Sequence, residues 1–328
     1  MGWSSFPPEH KKSLVRAVSL YAFAVAGVGV WVWLNAADTV KDWEKRTPQA
    51  VATVKTVYMT GQTSDAGDTA KPAGFANDIN MPPPSPGQGY ITIIMTDIGM
   101  SEADTGRAME DLPQDMTLAF SPYSPNLGDW LKKAKDANRE TLILIPMEPV
   151  TYPKDDPGPQ ALLTRQSDAD NSRRLDWVLR QAGGSVGAMN YMGSSLLADE
   201  KNLTSVLNAL YKRSALFVEN PQGSESLAEV VAERTSTPYL QADISIDKSA
   251  AELDVQQQLL NLENLAKKRG YAVGIAQPYP VTFGILKSWA ATLDRRGIKL
   301  VPLVSLWKAK SRQGNEAPAP LAPVPIAP

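Results

Sequence analysis

The feature that most constrains this chain is an alternation. From about residue 88 to residue 312, short apolar runs are separated by longer stretches with helical periodicity. The runs fall at 90–95, 117–120, 141–145, 186–189, 216–218, 239–241, 272–275 and 299–303. Helices are expected at 102–110, 128–137, 168–181, 200–212, 224–234, 250–269 and 282–295. Short strands that are apolar throughout are buried on both faces, as in a parallel sheet covered by helices. About seven or eight such units predict an α/β fold, a distorted (β/α)7-8 barrel. A doubly wound open sheet is the alternative. No Gly-x-Gly-x-x-Gly follows the first run and no Gly-Lys-Ser/Thr loop occurs. The nucleotide-binding forms of the open sheet therefore lose support.

The flanks have other compositions. Residues 17–37 (AVSLYAFAVAGVGVWVWLNAA) carry no charge. About 20 such residues in a helix span a hydrocarbon core of about 30 Å. Tyr21, Trp31 and Trp33 lie towards the ends, where amphipathic rings prefer the interface. An uncleaved single-pass anchor is the preferred reading over a signal peptide, because the apolar run is long and Asn35 spoils a cleavage site after Ala37. Residues 1–16 are read as cytoplasmic, and the domain as lying on the outer side of the membrane. Residues 38–87 read as a stalk and linker, rich in Gly, Pro, Ser, Thr and Asp from 61 onward. Residues 313–328 are mostly Pro and Ala and read as a disordered, polyproline-like tail.

Absences exclude several chemistries. There are no cysteines, so disulfides, thiolate metal sites and a cysteine nucleophile are ruled out. The one histidine, His10, precedes the apolar segment. The domain therefore has no Ser-His-Asp triad and no imidazole ligand. A formal net charge of -2 offers no basic surface for nucleic acid.

In a parallel barrel, functional groups collect at the carboxyl ends of the strands, where the loops converge. Those ends supply Thr96 and Asp97, then Glu148, then Asn190, Tyr191 and Ser195, then Glu219 and Asn220. The last strands supply Asp243, Asp247, Gln277 and Tyr279. Carboxylates, amides and rings at one mouth suit a carbohydrate, since rings stack on sugar faces and the polar groups bond hydroxyls.

The phrases Leu118-Ala119-Phe120-Ser121-Pro122-Tyr123, Pro146-Met147-Glu148-Pro149, Asp156-Pro157-Gly158-Pro159, Leu162-Leu163-Thr164 and Gly187 through Ser195 occur in this order. They are followed by Arg296-Gly297-Ile298-Lys299-Leu300-Val301-Pro302. In register from Tyr90 to Trp307, they resemble the divergent polysaccharide deacetylase family, relatives of the NodB-type carbohydrate esterases. The resemblance implies a distorted barrel, an envelope location and, in active relatives, metal-dependent removal of acetyl groups from polysaccharide. It also implies what is missing. Relatives carry paired aspartates after the first strand, where this chain has Thr96-Asp97. Tyr191 and Gln277 stand where relatives have histidines, and Leu144 stands where a further histidine is common.

The expected function is accordingly a membrane-anchored, catalytically degenerate deacetylase-like module. It would bind an envelope polysaccharide, or an envelope or membrane protein, with no cofactor. Two alternatives are kept. One is a working esterase whose divalent metal is held by oxygen ligands alone, from Asp97, Asp243 and Asp247. The other is a structural subunit of a membrane complex. Ligand-contact candidates are Asp97, Glu148, Tyr191, Asp243, Asp247 and Tyr279. Thr96, Asp97, Glu148, Asn190, Tyr191, Ser195 and Gln277 form the expected relic pocket. Each has a plainer reading as well: Asp97 as a strand-end turn residue, Glu148 as a loop brace, and Tyr191 and Tyr279 as rings filling the old cavity.

Overall fold

The computed structural model of the chain describes residues 81–223 and 225–315. The apolar segment 17–37, most of the expected stalk and the tail beyond Asn315 lie outside the described residues. Among the described residues no helix is long and apolar enough to cross a membrane.

Among the described residues nine strands and eight α-helices succeed one another. They run β1 (Gly89–Ile98), α1 (Glu102–Asp111), β2 (Thr117–Phe120), α2 (Leu127–Asp136), β3 (Thr141–Met147), α3 (Asp168–Gln181) and β4 (Gly187–Met192). The second half is α4 (Glu200–Tyr211), β5 (Leu216–Glu219), α5 (Ala228–Thr235), β6 (Tyr239–Gln241), β7 (Ile244–Ser245), α6 (Glu252–Arg269), β8 (Tyr271–Ala276), α7 (Pro280–Ala290), β9 (Ile298–Leu300) and α8 (Leu303–Asn315). Local chemistry sets several helix starts. Ser101, Ser167 and Asp199 cap α1, α3 and α4 by accepting the backbone N–H of Asp104, Asp170 and Asn202. Gly270, at φ 90°, ends α6 and turns the chain straight into β8.

All the strand pairings are parallel, in the order β6-β5-β4-β3-β2-β1-β8-β7. β1 is the axis of the sheet. β8 runs beside it from Tyr90 to Met95; on its other side β9 pairs with Gly89–Ile91 and β2 with the later residues. Alternate residues of β1 separate two cores. Ile91, Ile93 and Met95 pack outward beneath the helices, whereas Ile94 joins Ala119, Leu142, Leu144, Met189, Val218, Leu240, Val273 and Ile275 in a second cluster. A cluster that draws on β1 through β6 and on β8 requires the sheet to curl around it, so it is the barrel interior.

Closure is incomplete. β6 and β7 form the two ends of the sheet, with only Ala242 and Asp243 between them. There the chain itself crosses the gap: the Ala242 N–H bonds Glu219 O on β5, and the Asp243 N–H bonds Val273 O on β8. The parallel barrel expected from the sequence is thus present in an opened form.

Two elements escape the strand–helix periodicity. The run 299–303 predicted a strand, but β9 stops at Leu300, and Leu303 opens α8. Leu303, Val304 and Leu306 of α8 enter the inner cluster, each at most 2% exposed. The buried Glu140, just before β3, accepts the Val304 N–H at 3.2 Å and so holds the first turn of α8. Packing also begins before residue 88, inside the stretch read as linker. Met81 joins the inner cluster, and Tyr90 Oη donates to Pro82 O at 2.8 Å.

Candidate functional site

At the carboxyl end of β1 the backbone makes an abrupt turn. Thr96 is buried and shares the inward phase of Thr92 and Ile94. Asp97 then adopts φ 58°, a left-handed conformation that Asp tolerates better than most residues. Gly99, at φ 104°, follows, where an added Cβ would lie 2.8 Å from the Ser124 side chain. The Gly99 N–H donates to Thr105 Oγ1 at 3.0 Å, and Gly99 O accepts from Ser124 Oγ at 2.7 Å. The turn is therefore pinned through its backbone, and the Asp97 carboxyl takes no part in pinning it.

Asp97 meets groups from the far end of the chain. Burial, and next the negative charge of Asp247, raise its carboxyl above the ordinary aspartate value. Asp247 follows β7 and is 2% exposed. Its Oδ2 accepts the Gln277 N–H and the Thr282 hydroxyl, both at 2.8 Å. Its Oδ1 is buried without a hydrogen-bond partner. Burial raises this carboxyl too, against the opposing effect of those two bonds. Tyr191, on the inner face of β4, packs against the inner cluster. Burial, and then the charge of Asp97, push its phenol upward, so it stays protonated. Tyr279 caps α7, is 37% exposed, and donates its hydroxyl to Gln277 Oε1.

The mouth thus gathers Asp97, Tyr191, Asp247, Gln277 and Tyr279, with Thr96 on the floor. Thr282, in the first turn of α7, is an unanticipated member; its hydroxyl is recognisable only once Asp247 is known to lie beneath it. Leu144, at the position of a relative's histidine, is 2% exposed and sits in the apolar interior.

Other candidates are engaged elsewhere. Asn190 neighbours Tyr191 on β4 and so faces the opposite way. Its Nδ2 donates to Met192 O and Asn220 O at 2.8 and 2.9 Å, and its Oδ1 accepts the Asn220 N–H at 2.8 Å. These bonds stitch β4 to the loop after β5. Glu148 braces loops: its Oε2 accepts the N–H of Thr164 and, at 3.0 Å, its hydroxyl. Its carbonyl accepts the N–H groups of Ser195 and Leu196 at 3.1 and 3.2 Å. Ser195 enters through its backbone alone. A hollow of about 190 Å³ lies between these loops, lined by Val150, Ser194, Leu197, Gln222 and Ser226.

Asp243 departs from its expected place at the mouth. It bonds Arg269 at the end of α6, at 2.6 Å, and the Val273 N–H at 2.8 Å, in the first half of β8. The physical reason is the chain's crossing of the seam, which sets Asp243 beside the early residues of β8. The oxygen-only trio Asp97, Asp243 and Asp247 is not assembled. Among the described residues no group of three His, Cys, Asp or Glu side chains is disposed to hold a metal ion. The mouth contributes two carboxylates, one oxygen of which is already committed to Gln277 and Thr282, and neutral Tyr and Gln. This donor set does not fit the three-ligand site of a hydrolytic zinc centre.

The family model for divergent polysaccharide deacetylases matches residues 93–307. The chain belongs to the divergent polysaccharide deacetylase family. It is 28% identical over 221 residues to an uncharacterized protein of Haemophilus influenzae, covering 67% of this chain and 78% of that one. It is 24% identical over 223 residues to the uncharacterized protein YibQ of Escherichia coli K12, covering 68% and 67%. Among solved structures, an uncharacterized protein of Agrobacterium tumefaciens C58 superposes with a TM-score of 0.64 at 30% identity. That match covers 67% of this chain and 89% of the other. Within the family's framework, Tyr191 and Gln277 occupy strand ends where the resemblance led us to expect imidazoles, and Gln277 is bonded to Asp247 through its N–H and to Tyr279 through its side chain.

Proposed function

We propose that this divergent polysaccharide deacetylase domain binds a carbohydrate polymer of the cell envelope at its barrel mouth and does not deacetylate it. The observation that carries the reading is the buried Asp247, one oxygen of which has no partner, brought to the strand end of Asp97 by the β1–β8 pair and bonded there to the backbone of the neutral Gln277. Metal-assisted deacetylation needs a bound ion to polarise the acetyl carbonyl and activate water. This mouth supplies negative charge and hydrogen-bond acceptors, and among the described residues no cationic side chain is bonded to Asp97 or Asp247 to help stabilise an oxyanion. It does supply what a sugar needs: an exposed Tyr279 ring, and amide and acid groups for hydroxyls. Residues 17–37 would hold the domain to the inner membrane with the mouth facing the periplasm, which suits a polymer that lies close to the bilayer.

The test is an acetate-release assay with the full chain in mild detergent, on acetylated envelope polymers with added divalent metals, beside co-sedimentation with the insoluble polymer. Co-sedimentation without acetate is expected. Acetate release abolished by chelator and by Asp97→Asn would overturn the inactive reading. Failure to co-sediment would overturn the glycan reading.

A further inference from the structure

The mouth holds more negative charge than the fold needs. The turn at Asp97 is fastened by Thr105, Ser124 and backbone groups, and no hydrogen bond to the Asp97 carboxyl occurs among the described residues. The β1–β8 pair, in which Met95 lies opposite Ala276, brings Asp247 to the same strand end: it is 2% exposed, its Oδ2 accepts the Gln277 N–H and the Thr282 hydroxyl, and its Oδ1 has no partner. Holding a buried and a half-buried carboxylate close together is costly unless a positive group joins them. Among the described residues no cationic side chain is bonded to either carboxyl, and the polar groups gathered with them are Thr96, Tyr191, Gln277, Tyr279 and Thr282. Arg269 is taken by Asp243 in the first half of β8.

We infer that the mouth recognises a protonated primary amine on the sugar, that is, a de-N-acetylated amino sugar in preference to its N-acetylated form. This rests on the glycan-binding reading above and names the residue type selected. An ammonium has three donors and a full positive charge, matching the Asp97 carboxylate and the Tyr191 hydroxyl as acceptors, with Asp247 as a second negative charge behind them. An N-acetyl group offers one N–H and no charge, and it leaves the carboxylates uncompensated. Tyr279, at the rim, offers the sugar ring a face. A module of this kind would report where a polymer has already lost acetyl groups, and would be blind to the unmodified polymer.

The test is isothermal titration of the full chain in mild detergent with a β-1,4-linked glucosamine tetramer and with its N-acetylated counterpart. The free-amine tetramer is expected to bind at least about tenfold tighter, a difference of about 1.4 kcal/mol. Asp97→Asn should erase that preference, bringing the affinities of the two tetramers to within about twofold of each other. Asp129→Asn, which removes an exposed carboxylate from α2, should preserve it, and thermal melts of both variants establish that they fold. Equal binding of the two tetramers, or tighter binding of the acetylated one, overturns the inference and leaves the glycan reading standing. No binding of either, combined with failure to co-sediment with envelope polymer, overturns both. Loss of the preference in Asp129→Asn shows nonspecific attraction and overturns the inference. So does one equivalent of zinc held by the wild type and lost in Asp97→Asn, because the cation at the mouth would then be a metal.

Discussion

The base of the barrel buries a carboxyl and its mouth partly buries one, both with raised pKa values, and the two are used differently. At the base, Glu140 is 7% exposed, and burial lifts it to about 7 although the Val304 and Leu303 N–H groups pull the other way. Its task is structural: it receives the amino end of α8, which seals the interior. At the mouth, Asp97 is held beside Asp247 and Tyr191 and fastens nothing. A buried acid with a structural partner is explained by the fold. A half-buried one without a partner, next to a second acid, is what the proposed recognition of an amine accounts for.

The sharpest way to break this comparison is at the base. Leu306 is fully buried in the inner cluster. Leu306→Ala should cost about 2–5 kcal/mol in denaturant unfolding. A cost under about 1 kcal/mol would show that α8 is not part of the core.

Next in size is the pH response of Glu140. Its folded pKa, about 7, lies above the usual 4.5, so the folded state holds the proton more tightly. Its contribution is fully present below the unfolded value and is lost as pH rises through 7. Wild-type stability should therefore fall, on the order of 2 kcal/mol, between about pH 4.5 and 7.5 on this account. Glu140→Gln, which keeps an acceptor for Val304, should flatten that part of the curve. An unchanged slope would assign the pH response to other groups.

Asp97→Asn should go the opposite way from a structural substitution. Removing a charge that faces Asp247, at a left-handed position that Asn also accepts, should raise stability by up to about 1 kcal/mol near neutral pH. The gain should vanish in acid, where Asp97 is protonated anyway. A loss of stability would mean that Asp97 holds the turn after all, and the contrast with Glu140 would fail. The smallest effect belongs to Asp243→Asn. Its partner Arg269 is partly exposed, so about 0.5 kcal/mol is expected, with sugar binding untouched.

The strand ends were legible because burial on both faces specifies a parallel sheet, and a parallel sheet delivers its carboxyl ends to one side. Asp97, Tyr191, Asp247 and Gln277 meet for that reason. Asp243 was misplaced because β7 is only Ile244–Ser245, too short to leave a periodic trace, and the seam crossing has no sequence signature. Asn190 was grouped with the pocket by its neighbours in the motif, yet adjacent strand residues face apart, and its hydrogen bonds lie across β4 and β5. The helix α8 was hidden because its apolar start, Leu303-Val304, continues the run of β9. Only Pro302 between them hinted at a boundary.

The placement of β1 has a consequence for biogenesis. The first strand of the domain has β8 and β9, made at the far end of the chain, as neighbours, and the interior is completed by Leu303 to Leu306. A ribosome that has released β1 through β6 has therefore made a sheet whose central strand lacks one whole side. The domain cannot acquire its native core during translation of its own first two hundred residues. It must be kept from aggregating until its last helix emerges, whichever side of a membrane it emerges on.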